Sequence, residues 1–152
     1  MNANTLPALC CLFTIALVSE TLIAQSSDPD APTLLQSKTI KGEHSSGLND
    51  ESVHYYTFNV EPGTLTLTLD IKPINKSDAG GFLSWTLMDT KFQTLKTDVL
   101  SAQGSADRQV TDMPVTKKRQ VILKSEVSGT MTYKIKLEGP VRFIKGKTRK
   151  SD

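Results

Sequence analysis

Residues that could serve as a catalytic base are few in this sequence. The 152-residue chain contains two histidines, His44 and His54, and histidine is the usual base beside a nucleophilic side chain. Neither lies in a Gly-x-Ser-x-Gly turn or a His-Glu-x-x-His helix, the motifs that place such groups for hydrolysis. His54 shares an alternation with Tyr56 and Phe58, which places it on a buried strand face. We therefore predict that the protein is not an enzyme.

Oxygen ligands suited to calcium occur near the start of the folded region. Asp28 and Asp30 would have to converge with Asn49, Asp50 and Glu51, because calcium needs several oxygen ligands. The spacing is not that of an EF-hand loop, and acidic loop residues are commonly solvated. The sequence therefore predicts no cofactor, with calcium as the alternative.

Aromatic side chains that stack on sugars must be exposed. Trp85, the single tryptophan, alternates with Leu83 and Leu87, and this pattern predicts burial. Tyr55 has the opposite parity to Tyr56, so Tyr55 is the aromatic residue that we predict on an exposed surface.

Positive charge is concentrated towards the C-terminus. Residues 25–114 contain 7 Lys and Arg against 12 Asp and Glu, whereas residues 115–152 contain 11 against 3. This asymmetry is typical of a protein with an anionic partner, or of two sheets whose edges attract each other. A solvated terminus with lysines that protect a sheet edge is the alternative. The predicted ligand surface comprises Tyr55, Lys134, Lys136, Arg142, Lys145, Lys147, Arg149 and Lys150.

Alternating apolar and polar residues predict the strands that position these side chains. The clearest alternations span residues 55–60, 64–71, 83–87 and 131–137. Glu61–Gly63 contains proline and glycine and predicts a hairpin between the first two segments, and Ser128–Gly129 is predicted as a turn. No sustained helical period occurs in the mature chain. The sequence predicts an all-β fold, a single antiparallel, jelly-roll-like β-sandwich.

The N-terminal segment has the pattern of an export signal. Leu6–Val18 contains no charged residue and is too short to span a bilayer as a helix, and Ala24 is a small residue at a cleavage position. Cys10 and Cys11 lie in the removed part, so the mature protein would have no disulfide.

The predicted location is secreted or periplasmic, without a membrane span. The predicted divisions are a signal peptide over 1–24, a polar linker over 25–33, a β-sandwich over 34–144 and a basic tail over 145–152.

The order of the strand motifs resembles a known bacterial family. His54–Val60 and Pro62–Leu67 give an aromatic pair, an extended strand, a turn and a threonine-leucine strand, while Gln120–Leu123 and Tyr133–Leu137 are similar to two closing strands. Together they resemble the pre-peptidase C-terminal domain over most of the mature chain. The resemblance implies a jelly-roll-like sandwich, usually non-catalytic, that keeps a secreted enzyme soluble or binds a polymeric substrate. Some members hold calcium. Here the module is predicted to stand alone after its signal peptide.

These patterns predict an exported non-catalytic binding or accessory module that assists a secreted hydrolase or binds an anionic envelope polymer. Its predicted partner is an unknown protein or an anionic polysaccharide. Nucleic acid is excluded because export separates the protein from it and no basic strand is interleaved with aromatic residues. The alternative is a secreted structural or inhibitory protein that acts by edge-strand contact, and a hydrolase without a recognisable motif comes third.

Export generates the first testable prediction. We expect the secreted protein to begin near Gln25, because the apolar segment would be cleaved after Ala24. Intact-mass measurement of protein from the medium or periplasm checks this. Retention of residues 1–24 in that material would contradict it.

Overall fold

The computed structural model describes residues 25–46, 50–75, 80–102 and 105–145. The predicted signal peptide lies outside these ranges, as do Lys147, Arg149 and Lys150. Within the described ranges no helix is long and apolar enough to cross a membrane.

The described residues form nine strands. Their bounds are β1 Thr33–Leu34, β2 Thr39–Ser45, β3 Glu51–Val60, β4 Gly63–Pro73, β5 Gly81–Asp89, β6 Thr94–Ala102, β7 Asp107–Val115, β8 Arg119–Glu138 and β9 Val141–Arg142. All strand pairings are antiparallel except that of β1 with β3. The all-β prediction is confirmed.

The strands form two sheets joined through β8. Sheet A has the order β6-β5-β8-β3, with β1 and β9 on the far edge of β3. Sheet B has the order β7-β4-β8-β2. The buried side chains of both sheets form one hydrophobic cluster between them, which is the arrangement of a β-sandwich.

Strict alternation in the sequence produces the two buried faces. Leu65, Leu67 and Leu69 of β4 are fully buried, and so are Leu83 and Trp85 of β5. Because successive strand residues point to opposite faces, the intervening threonines and charged residues of these strands face outwards. The predicted burial of Trp85 is confirmed.

The predicted hairpin at Glu61–Gly63 is wrong. The strands on either side do not pair with each other: β3 pairs with β8 in sheet A, and β4 pairs with β7 and β8 in sheet B. The Glu61 N–H donates to the Pro140 carbonyl at 2.9 Å. The connection therefore crosses from one sheet to the other, because each strand finds its partners in distant sequence.

The predicted turn at Ser128–Gly129 is also wrong. β8 runs through it without interruption, pairing in sheet A up to Gly129 and in sheet B from Thr130 onwards. Gly129 has a φ of 87°, and a Cβ there would lie 2.3 Å from the Gly80 carbonyl oxygen. A residue without a side chain lets the strand bend from one sheet to the other while its neighbours stay paired.

The segment predicted as a linker contacts β3. Ser26 forms an isolated bridge with Tyr55, whose N–H donates to the Ser26 carbonyl at 2.8 Å. The Ser26 N–H donates to Thr33 Oγ1 at 2.8 Å, and Thr33 begins β1. Hydrogen bonds of its main-chain groups hold this segment in place. Because these bonds need no apolar side chains, the apolar content of the sequence could not predict the contact.

The bend in β8 generates a stability prediction. We expect Gly129→Ala to lower the free energy of unfolding by about 2 kcal/mol or more, since a left-handed conformation alone costs a non-glycine residue about 1–3 kcal/mol and the new Cβ would meet backbone. Thr132→Ala, at an exposed position of the same strand, is the control and should cost less than about 0.5 kcal/mol. Denaturant titration measures both variants. Equal small effects would show that the bend does not require glycine.

Candidate functional site

The outward face of sheet B carries a row of charged side chains across four strands. Lys41 on β2 lies opposite Lys134 on β8, Lys134 lies opposite Asp70 on β4, and Asp70 lies opposite Arg108 on β7. Residues opposite one another in antiparallel strands project from the same face. With strands about 4.8 Å apart, the row is about 14 Å long.

This row lies in an open depression with a volume of about 720 Å³. Its charged residues comprise four cations and two carboxylates, which makes the depression electropositive. These residues are Lys41, Lys72, Arg108, Lys134, Asp70 and Asp107. The Thr132 side chain, also at the depression, donates from its Oγ1 to the Lys72 carbonyl at 3.4 Å.

The central carboxylate holds two of the cations in place. Lys134 Nζ lies 2.9 Å from Asp70 Oδ2, and Arg108 Nε lies 3.5 Å from Asp70 Oδ1. The side chain of Arg108 is 65% exposed. Asp107 Oδ1 accepts the Arg108 N–H at 2.7 Å. Asp70 therefore pairs with two cations and Asp107 accepts a main-chain N–H, while the guanidinium of Arg108 remains in contact with solvent.

The other two cations are unpaired within the described part of the chain. Lys41 is exposed on β2 and Lys72 is exposed near the end of β4, and neither forms an ion pair with a described residue. Their ammonium groups are thus available to an anionic ligand.

Two of the predicted ligand residues lie on this face. Lys134 lines the depression. Lys136 belongs to the next row along β8, and its Nζ lies 2.8 Å from Glu138 Oε1. Pairing with a neighbouring carboxylate leaves Lys136 less available than Lys134.

The other described residues of the predicted surface lie on sheet A or just beyond its strand β9. Arg142 is exposed on β9, opposite Asn59, and Lys145 is exposed beyond β9. Tyr55 is half-buried on β3, opposite Lys124. None of the three lines the depression, so the structure divides the predicted surface between the two sheets.

Sequence reasoning missed three cations of the depression, namely Lys41, Lys72 and Arg108. Lys72 directly follows the strand predicted over residues 64–71 and continues the alternation of its polar face. The sequence therefore contained a signal for Lys72. Arg108 carried no such signal, because β7 has polar residues on both faces. Only the pairing of β2, β8, β4 and β7 brings these cations together.

The two histidines lie at the inner face. His44 is buried and its Nδ1 lies 2.6 Å from the Gly129 carbonyl oxygen. The nearby Ser46 Oγ lies 3.2 Å from His44 Nε2 and 3.5 Å from Nδ1. Nearly equal distances to both ring nitrogens place the hydroxyl beside the carbon between them, away from the lone-pair direction that a base needs. This pair is therefore not arranged for nucleophilic catalysis.

Calcium binding was the alternative prediction, and the described ranges contain no cluster of ligands for it. No group of three or more His, Cys, Asp and Glu side chains there could hold a metal ion. Asp28 Oδ1 accepts the N–H of Asp30 at 2.9 Å, which is a local turn contact. Asn49 lies outside the described residues.

No protein-family model and no curated protein matches this chain, whereas 18 chains of solved structures match it. One is an arabinose-bound α-L-arabinofuranosidase, MgGH51, with a TM-score of 0.41 and 11% identity over 69% of this chain and 19% of that one. Another is a CBM4 protein, with a TM-score of 0.42 and 8% identity over 66% of this chain and 64% of that one. This chain therefore spans about a fifth of the first and just under two thirds of the second.

At these identities the likeness says nothing of a ligand or an activity. The β-sandwich that the pre-peptidase resemblance implies is present in the structure. Membership of that family stays a prediction.

The environment of His54 generates a pH prediction. Burial, and to a smaller extent the neighbouring His44, lowers the pKa of His54 from its ordinary value of 6.5. At pH values around and below 6.5 the unfolded chain therefore binds more protons at His54 than the folded chain does. The folded state consequently loses stability as the pH falls through this range. We expect the melting temperature to fall between about pH 7.5 and about pH 5, and to fall less in His54→Gln. Equal falls in melting temperature in the parent protein and in His54→Gln would show that His54 is not the group responsible.

Proposed function

We propose that this protein is an exported, non-catalytic binding module that holds an anionic polysaccharide on the outward face of sheet B. The observation that carries the proposal is the depression in which Lys41, Lys72, Arg108 and Lys134 outnumber the carboxylates. Cations of this kind attract and hold carboxylate or sulfate groups. Export follows from the N-terminal signal pattern.

The geometry of the row favours a polymer over a single small anion. The cations come from four neighbouring strands, and the main chains of the outer two, which carry Lys41 and Arg108, lie about 14 Å apart. A chain that repeats its negative charge can contact several cations at once, and each added contact becomes intramolecular. Arg108 can receive a carboxylate or sulfate through two parallel hydrogen bonds, whereas Lys72 acts as a point charge.

Asp70 fixes the positions of two cations and also restricts where the negative charges of a ligand can bind. Its carboxylate sets the positions of Lys134 and Arg108, which reduces the side-chain freedom lost on binding. Because the same carboxylate repels an anion placed directly over it, ligand charges should lie on either side of it, towards Lys41 and Lys72 or towards the exposed side of Arg108.

The C-terminal cations add attraction at longer range. Arg142, Lys145, Lys147, Arg149 and Lys150 increase the positive charge of the molecule, and the field of exposed charges extends about 8 Å at physiological ionic strength. They increase the encounter rate, while the depression determines which anion stays bound.

Binding to defined polymers tests the proposal. We expect the protein to bind a polyuronate or a sulfated polysaccharide and not neutral dextran, with affinity that falls steeply as salt rises from about 0.05 M to about 0.5 M. The double variant Lys72→Gln/Arg108→Gln should bind about tenfold more weakly, which corresponds to about 1.4 kcal/mol. Calorimetry or biosensor titration measures the affinities.

A matched control separates the depression from general charge. Lys91→Gln/Lys96→Gln removes the same charge from exposed positions at and beside β6 and should change affinity by less than about twofold. A chain ended after Lys145 keeps the buried Val141 of β9, and it should bind more weakly while preserving the difference between the two double variants. Equal weakening by both double variants would place the site elsewhere.

A further inference from the structure

One edge of sheet B is unpaired in the described part of the chain. β2 pairs with β8 on one side, and no described strand pairs with its other side. Lys41, Glu43 and Ser45 of β2 are exposed. An unpaired edge of this kind presents main-chain donors and acceptors that can bind another strand.

The register with β8 shows which main-chain groups point outwards. The Leu137 N–H donates to the Lys38 carbonyl at 2.7 Å, so Lys38 and Leu137 form a hydrogen-bonded pair. Such pairs alternate along an antiparallel ladder, and the pairs formed by Ile40, Gly42 and His44 with β8 are therefore of the same kind. The N–H and carbonyl groups of the alternate residues point to the open edge. These are Thr39, Lys41, Glu43 and Ser45.

We propose that two copies of the chain associate through β2, antiparallel, about a two-fold axis at Gly42. In this register Lys41 of each copy lies opposite Glu43 of the other, and Thr39 lies opposite Ser45. The paired residues are the ones whose main-chain groups point outwards, so they exchange hydrogen bonds across the junction. Their side chains meet on the outward face, where each lysine contacts a glutamate.

The charges select this register over its neighbours. A two-fold axis at Lys41 would place the two lysines opposite each other, and an axis at Glu43 would oppose the two glutamates. Like charges directly opposite are destabilising. Only the axis at Gly42 uses the same outward main-chain groups and joins opposite charges.

Gly42 is suited to the centre of the junction. A Cβ on it would lie 2.4 Å from the Tyr133 ring, so that ring covers the inward side of the strand. The outward side of Gly42 has no side chain. Gly42 therefore adds no side chain of its own at the axis.

Association would join the two B sheets into one continuous sheet with both depressions on the same face. Lys41 would then pair with Glu43 of the second copy, and Lys72, Arg108 and Lys134 would remain for a ligand. A polymer that reaches both depressions would gain avidity. The association itself does not depend on the proposed ligand.

Sedimentation velocity with charge variants tests the proposal. Only one strand pair is formed, so we expect weak dimers at concentrations on the order of 100 µM. Lys41→Glu alone and Glu43→Lys alone should each be monomeric, because each opposes like charges twice. An equimolar mixture of the two should form heterodimers, since both junction pairs are then attractive. Lys91→Glu, on the turn between β5 and β6, is the charge-matched control and should dimerise like the parent protein.

Amide exchange locates the junction independently. The N–H groups of Lys41 and Glu43 should exchange more slowly as protein concentration rises, while those of Ile40 and Gly42, already bonded to β8, should not change. A parent protein that stays monomeric at these concentrations would overturn the proposal. So would dimers that survive both single variants, or a mixture of the variants that does not associate. None of these measurements contains a polysaccharide, so their failure is separate from that of the proposed function.

Discussion

β8 constrains the whole structure because both sheets are built on it. Its first half lies between β3 and β5, and its second half lies between β4 and β2. Odd-numbered residues face the core in both halves, from Val121 to Leu137. A strand that bends around a core keeps the same residues inwards, and Gly129 takes the inward position at the bend, where the Gly80 carbonyl leaves no room for a side chain.

The sequence patterns predict burial far better than they predict pairing. Alternation is a local property, so the inward faces of β4, β5 and the second half of β8 could be assigned from spacing alone. Pairing depends on partners distant in sequence. The Glu61–Gly63 connection has the composition of a hairpin turn, yet β3 pairs with β8 along its whole length, from Glu51 to Val60.

β7 illustrates the other failure. It is an edge strand with polar residues on both faces, so no alternation of apolar and polar residues predicts it. Edge strands bury less apolar surface than central ones and carry charges that discourage association. Because the alternation of β7 is weak, the sequence did not predict Arg108, which lies at one end of the charged row. Lys134 could be predicted because it lies on a central strand whose alternation is strong.

The charge asymmetry of the chain has a partly structural origin. Lys134 pairs with Asp70 and Lys118 pairs with Glu61, so cations of the C-terminal part neutralise carboxylates of the earlier strands. Exposed pairs of this kind contribute only about 0–1 kcal/mol each, because water competes for both ions. Their weakness matters for binding. A ligand anion that approaches Arg108 or Lys134 does not have to break a strong internal interaction, and the geometry set by Asp70 is already in place. The ion pairs that organise the face of sheet B therefore leave its cations free to exchange partners, which a buried salt bridge would not allow.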